Sequence, residues 1–89
     1  MYEIEYTPQA VEDLKWFSQR EQNIILDTIY AQLPYEPNVQ TRNRFRRRDN
    51  EIAEWELRVA QFRVYYNVEE TVRIVSIEAV GWKPKNIVF

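Results

Sequence analysis

Apolar and polar residues alternate with period two in several parts of the chain, a pattern typical of half-buried strands. Residues 2–6 show it first. A longer alternation starts at Ile52, continues to Val59 and resumes over residues 62–68. Residues 72–80 are rich in β-branched residues and predict a well-buried strand that ends at Gly81, the only glycine of the sequence. The pattern therefore predicts one N-terminal strand and three consecutive later strands.

Two segments between these strands have apolar residues at helical spacing. Thr7 is a good N-cap and Pro8 suits the first helical position, so we expect a helix over residues 8–17. Ser18 and Glu21 fit a capping box, which predicts a second helix from about Gln19 until Pro34 stops it. Residues 34–50 have no sustained period and are expected to form a turn and a loop.

A two-residue connection at Ala60 and Gln61 would place the apolar residues of its two flanking strands on one face. It pairs Val59 with Phe62, Leu57 with Val64 and Trp55 with Tyr66, and it aligns Arg58 with Arg63 and Glu56 with Tyr65. The dipeptide is not a favoured hairpin turn, because such turns need positive φ, although any even-numbered loop keeps the same facing. We expect an α+β fold in which an antiparallel helix hairpin covers one sheet, made of the N-terminal strand and a three-stranded antiparallel meander.

Length and composition favour a single domain over residues 1–89. The chain has no Cys and no His, which excludes disulfides, thiolate nucleophiles and metal sites built from thiolates or imidazoles. The N-terminus lacks the pattern of a signal peptide, and no apolar run approaches the roughly 20 residues that span a bilayer. We therefore expect a cytoplasmic protein that makes no membrane contact.

Positive charge is concentrated in one short segment, although the net charge is −2. Residues 42–48 contain five Arg and no acid, whereas acids outnumber bases on both sides of this segment. A local phosphate contact is therefore expected rather than a broad nucleic-acid surface. Phe45, within the segment, could stack on a base.

The order of the elements, together with the segments WELRVAQFRVYY at residues 55–66 and AVGWK at residues 79–83, resembles the RelE/ParE superfamily of type II toxins. The resemblance covers nearly the whole chain. Members either cleave mRNA in the ribosomal decoding site or inhibit DNA gyrase, and a cognate antitoxin neutralises them. The resemblance implies an antitoxin-bound toxin that is a ribosome-dependent mRNA endoribonuclease without metal or cofactor. The alternatives are a non-enzymatic gyrase inhibitor and a non-toxic protein that only binds its antitoxin.

The resemblance also implies roles for individual residues. Arg63 matches the arginine that contacts the scissile phosphate in the ribonuclease members, and Lys83 takes the place of a second basic residue after the final strand. Phe89 stands where those nucleases often have a tyrosine. Glu54 and Glu56 occupy the strand face where the best-known ribonuclease members have lysines, so the sign of the charge is reversed there.

RNA cleavage by the 2′-hydroxyl needs a base, positive charge on the phosphate and an acid at the leaving oxygen. The expected assignment is Glu54 or Glu56 as base, Arg63 with Arg58 on the phosphate, and Tyr65 or Lys83 as acid. The expected RNA-binding residues are Arg44, Arg46, Arg47, Arg48 and Lys85. The alternative is that the strand residues form cross-strand ion pairs on a solvated sheet face and that the arginine segment is a surface loop facing the antitoxin.

Overall fold

The computed structural model describes residues 1–47 and 52–84, which form two helices and five strands. In chain order the elements are β1 (Glu3–Tyr6), α1 (Pro8–Leu14), α2 (Gln19–Gln32), β2 (Arg44–Arg46), β3 (Trp55–Val59), β4 (Phe62–Glu69) and β5 (Ile74–Trp82). The predicted α+β class and the predicted order of the helices and the four long strands are confirmed. No helix within the described residues is long and apolar enough to cross a membrane.

Both helices begin at the predicted caps. The Thr7 hydroxyl accepts from the Ala10 amide, and Ser18 and Glu21 form the predicted capping box. Helix α1, however, ends at Leu14 and not at Phe17, because the next three amides bond to carbonyls only three residues back. This tighter turn carries Phe17 into the core, where its ring centroid lies 5.4 Å from that of Phe62.

The sheet has the strand order β1-β5-β4-β3-β2, in which β1 runs parallel to β5 and the other neighbours are antiparallel. The pairing of β3 with β4 has the predicted register at all five positions, from Val59 with Phe62 to Trp55 with Tyr66. The connection is the two-residue turn, and Ala60 supplies the positive φ that it needs, at 52°. The hairpin prediction is therefore confirmed despite the unfavourable dipeptide.

Two strand boundaries differ from the prediction. Residues 44–46 were expected in a loop but form the edge strand β2, because they pair with β3. Strand β5 starts at Ile74 and not at residue 72, since Arg73 has φ 56° and belongs to the turn. Gly81 does not end this strand, because β4 still offers it a partner, Arg63, and the ladder continues to Trp82.

The helices and the apolar face of the sheet enclose the core. From α2, Ile25, Ile29 and Leu33 are fully buried, and they face sheet residues such as Leu57 and Val64. Alternation along β3 and β4 turns the intervening side chains to the opposite face, which the helices do not cover. That open face carries the polar residues from which the candidate site is built.

Candidate functional site

Strand pairing brings the polar residues of β3 and β4 together on the open face. Glu56 lies opposite Tyr65, Arg58 lies opposite Arg63, and the edge strand β2 adds Phe45 beside Glu56. Arg47 follows β2, and its amide donates to the carbonyl oxygen of Glu54. We call the group formed by Arg47, Arg58, Arg63 and Glu56 the arginine cluster.

Glu56 is the centre of the arginine cluster. Its Oε1 accepts from Nη1 of Arg47, while its Oε2 lies 3.6 Å from Nε of Arg63 and 3.8 Å from Nε of Arg58. The Glu56 side chain is only 8% exposed. Three cations against one carboxylate leave the cluster with two excess positive charges, so it can still attract an anion.

Arg63 is held from two sides. Its Nη1 donates to the carbonyl oxygens of Ala60 at 2.9 Å and of Phe62 at 2.7 Å, and its Nε faces Glu56. The side chain is 8% exposed. The ion pair of Arg63 with Glu56 that the alternative expected is present. It is buried, however, and does not lie on a solvated face.

Aromatic rings flank the other two arginines. The Arg58 guanidinium lies over the Phe45 ring at 4.7 Å from its centroid, and the Arg47 guanidinium lies over the Tyr65 ring at 5.1 Å. Both arginines are more exposed than Arg63. Cation–π contacts of this kind restrain the long arginine side chains without using up their hydrogen-bond donors.

The end of β5 lies beside Arg63. The Lys83 amide donates to the Gln61 carbonyl oxygen at 2.7 Å, which fixes this exposed residue next to the hairpin turn. Gly81 pairs with Arg63, and a Cβ atom built on it would meet none of the described atoms within 4 Å. Within residues 1–47 and 52–84, nothing therefore covers the sheet surface at Gly81, next to Arg63.

A bulge in β5, which was not predicted, sets the direction of this strand end. The register shifts between Tyr65 and Tyr66, so that Glu78 has no opposite residue on β4. Helix α1 satisfies the displaced backbone groups, because Thr7 donates to the Glu78 carbonyl oxygen at 3.0 Å and Asp13 accepts from the Val80 amide at 2.9 Å. The sequence carries a signal of this bulge. The buried apolar residues Val75 and Ile77 are two positions apart, whereas Ile77 and Val80 are three positions apart, which breaks the period of two.

Other predicted site residues do not join the arginine cluster. Glu54 pairs with Arg46 at 3.4 Å, and both side chains are exposed. Arg44 is buried, and its guanidinium donates to the Val39 carbonyl oxygen at 3.2 Å and lies 3.4 Å from Glu36. The predicted roles of Arg48 and Lys85, and the position of Phe89, lie outside the described residues.

The geometry limits the chemistry that each group can perform. Oε1 of Glu56 accepts a hydrogen bond from Arg47, and Oε2 lies within ion-pair distance of Arg58 and Arg63, so this carboxylate contacts arginines through both oxygens. The guanidinium groups are suited to binding phosphate oxygens, and Tyr65 and Lys83 carry exchangeable protons nearby. Among residues 1–47 and 52–84, no group of three or more Asp or Glu side chains is placed to hold a metal ion.

Solved structures with the same fold are toxins or toxin complexes. A chain of the toxin–antitoxin complex RelBE2 from Mycobacterium tuberculosis superposes with a TM-score of 0.79 at 21% identity, over 91% of this chain and 96% of that one. A chain of the archaeal RelE–RelB complex from Pyrococcus horikoshii gives a TM-score of 0.77 at 17% identity, over 96% and 98%. The isolated E. coli RelE toxin gives 0.67 at 13% identity, over 97% and 88%.

Sequence comparison adds nothing to this, since no protein-family model matches the chain and no curated protein is significantly similar to it. The structural likeness extends over nearly the full length of both partners in each case. The chain therefore has the RelE toxin fold, as its sequence resemblance to the RelE/ParE superfamily predicts.

Proposed function

We propose that this chain is the toxin of a type II toxin–antitoxin pair and that it cleaves mRNA on the ribosome without metal or cofactor. The observation that carries the proposal is the arginine cluster, which places two excess positive charges on the open sheet face of a RelE fold. Arg63 binds the scissile phosphate, supported by Arg58. Charge that develops on the phosphate oxygens during reaction is stabilised by these guanidinium groups.

In the proposed reaction the ribose 2′-oxygen bonds to phosphorus, and the bond from phosphorus to the 5′-oxygen of the next nucleotide breaks. The proton of the 2′-hydroxyl passes to a water molecule, and the departing 5′-oxygen takes up a proton. Lys83 lies beside the hairpin turn and is our candidate acid for the 5′-oxygen, with Tyr65 as the second candidate. We assign Glu56 to holding the arginines and not to proton transfer, because it is buried and contacts arginines through both oxygens.

The proposed partner is a cognate antitoxin, and the site of action is the cytoplasm. Large aromatic side chains are exposed next to the aromatic core contacts of Phe17: Trp16 is 86% exposed and Trp82 is 53% exposed. Aromatic residues are enriched at protein interfaces. Two of the similar structures are complexes, one of a toxin with its antitoxin and one of RelE with RelB, which supports a partner of the same kind here.

One feature favours a second candidate function. The acids Glu54 and Glu56 replace the lysines of the ribonuclease members, and Glu56 neutralises part of the positive charge on the open face. A non-enzymatic toxin that inhibits DNA gyrase would not need those lysines. This candidate predicts DNA breaks instead of RNA cleavage.

Induced expression followed by mapping of new mRNA 5′ ends and of DNA breaks separates these functions. We expect growth arrest with new 5′ ends inside codons, and rescue when the adjacent small gene is expressed together with the toxin. DNA breaks without RNA cuts would replace the nuclease by the gyrase inhibitor. Normal growth would leave a non-toxic, antitoxin-binding protein, and failure to recover a complex from a strain carrying both genes would remove the toxin–antitoxin assignment.

A further inference from the structure

Glu56 is a buried carboxylate to which the proposed reaction gives no role. Its oxygens contact guanidinium groups from three separate places: Arg47 after β2, Arg58 in the same strand and Arg63 across the hairpin. Each of these arginines also has a second restraint of its own, either an aromatic ring or the turn carbonyls. The shared contact of all three is the Glu56 carboxylate.

Three guanidinium groups around one point repel one another, and each has several rotatable bonds. Without a central anion, the repulsion between the guanidinium groups would be lower if Arg47 and Arg58 extended into water, which they can do because both are already partly exposed. A carboxylate at the centre offsets this repulsion and fixes the direction of each guanidinium. It also lowers the local charge by one unit, which by itself weakens attraction to phosphate. Glu56 thus has two opposing effects on anion binding.

We propose that Glu56 is a positioning residue that assembles Arg47, Arg58 and Arg63 into a single phosphate-binding array. This inference rests on the proposed function, in which the arginine cluster binds RNA phosphate. For phosphate binding, the benefit of fixed guanidinium directions is larger than the cost of one positive charge neutralised by Glu56. The reason is that phosphate recognition by Arg depends on the direction of its donors as well as on charge. Removing the charge of Glu56 therefore weakens RNA binding although it makes the cluster more positive.

The test compares Glu56→Gln with Glu54→Gln. Both changes remove one negative charge at nearby positions, but Glu54 is exposed and pairs with Arg46 outside the cluster.

The probe is a short single-stranded RNA with 2′-O-methyl groups, which cannot be cleaved, and its Kd is measured at several salt concentrations by fluorescence anisotropy. We expect Glu56→Gln to bind about tenfold more weakly, the factor for one lost charge-assisted hydrogen bond. The slope of log Kd against log salt should also become shallower. Glu54→Gln should bind as tightly as the unchanged chain or slightly more tightly.

Tighter binding by Glu56→Gln, in parallel with Glu54→Gln, would overturn the positioning role and leave the proposed function intact, since charge alone would then govern affinity. No RNA binding by the unchanged chain would overturn the array, whereas the proposed function is decided separately by the mapping of mRNA 5′ ends. Glu56→Asp keeps the charge at a shorter reach and should have intermediate affinity. It serves as the second variant if Glu56→Gln does not fold, and affinity equal to that of the unchanged chain would contradict the need for exact placement.

Discussion

Arg63, which we propose binds phosphate, also supports the local structure of the hairpin. Its Nη1 bonds to two carbonyl oxygens of the hairpin turn, and its Nε faces a buried carboxylate. The turn needs such support, because Ala60 has the positive φ that a residue with a Cβ atom adopts at a cost of about 1 kcal/mol. The alternative drawn from the sequence was an ion pair on a solvated sheet face, whereas the Arg63 side chain is buried.

Arg63→Ala is expected to abolish growth arrest and also to lower the free energy of unfolding by about 2 kcal/mol, because turn carbonyls and Glu56 lose a buried donor. Arg63→Lys keeps the charge but not the planar fork, so it should restore arrest only in part. Induced growth and thermal melting of each purified variant are the measurements. Arg20→Ala, which removes an exposed positive charge from α2, should change neither. Full arrest by a folded Arg63→Ala protein would show that Arg63 is not the phosphate ligand.

At the scale of elements, strand β2 divides the basic segment between different surroundings. Arg44 points to the helix side, where it is buried and bonded to Val39 and Glu36. Arg46 forms an exposed pair with Glu54, and Arg47 reaches the arginine cluster. Arg44, Arg46 and Arg47 therefore do not form one continuous patch for phosphate, although they are close together in the sequence.

Arg47→Ala and Arg44→Ala should consequently differ in their effect on RNA binding: the first should change the salt slope and the second should not. Loss of Arg47 removes the proposed phosphate contact, so RNA affinity should fall and the salt slope should decrease by about one unit, and the lost hydrogen bond to Glu56 should lower the melting temperature as well. Loss of Arg44 removes buried hydrogen bonds, so the free energy of unfolding should fall by about 2 kcal/mol while the salt slope stays unchanged. Anisotropy titrations and thermal melting measure the two effects. Equal salt slopes for the two variants would show that Arg47 does not contact RNA phosphate.

At the scale of the whole molecule, Tyr66 ties the segment after α2 to the centre of the sheet. Its ring is fully buried and lies 6.1 Å from the Trp55 ring, and its hydroxyl donates to the Pro37 carbonyl oxygen at 2.6 Å. Burial raises the pKa of the Tyr66 hydroxyl well above its ordinary value, while the nearby charge of Arg44 acts in the opposite direction. The neutral phenol is therefore the form that the folded protein requires.

This pKa shift makes stability depend on pH in the alkaline range. Because the folded-state pKa exceeds the unfolded value of about 10, the stabilisation is complete below that pH and is lost as pH rises above it. Thermal melting between about pH 8 and about pH 11 should show a steeper decline for the unchanged chain than for Tyr66→Phe. Tyr35→Phe, which alters an exposed hydroxyl, should follow the unchanged chain. The same decline in Tyr66→Phe would mean that other groups cause the loss.

The sequence by itself determined the features that depend on near neighbours in the chain. Thr7 and Ser18 start the helices because a capping side chain bonds to an amide two or three residues away. The register of the hairpin followed from the period-two pattern, since any odd shift would turn the apolar residues to water. The same pattern correctly placed Glu56, Arg58, Arg63 and Tyr65 on one face.

Only the tertiary structure decided which of those residues meet and how deeply they are buried. Strand β2 is too short to show a period, and it exists because β3 offers it backbone partners. The bulge at Glu78 is stable because α1 supplies Thr7 and Asp13 from far along the chain. The contact of Glu56 with three arginines depends on the same distant pairing. Periodicity reports which face a side chain occupies, whereas its partners on that face depend on how separate segments of the chain are brought together in the sheet.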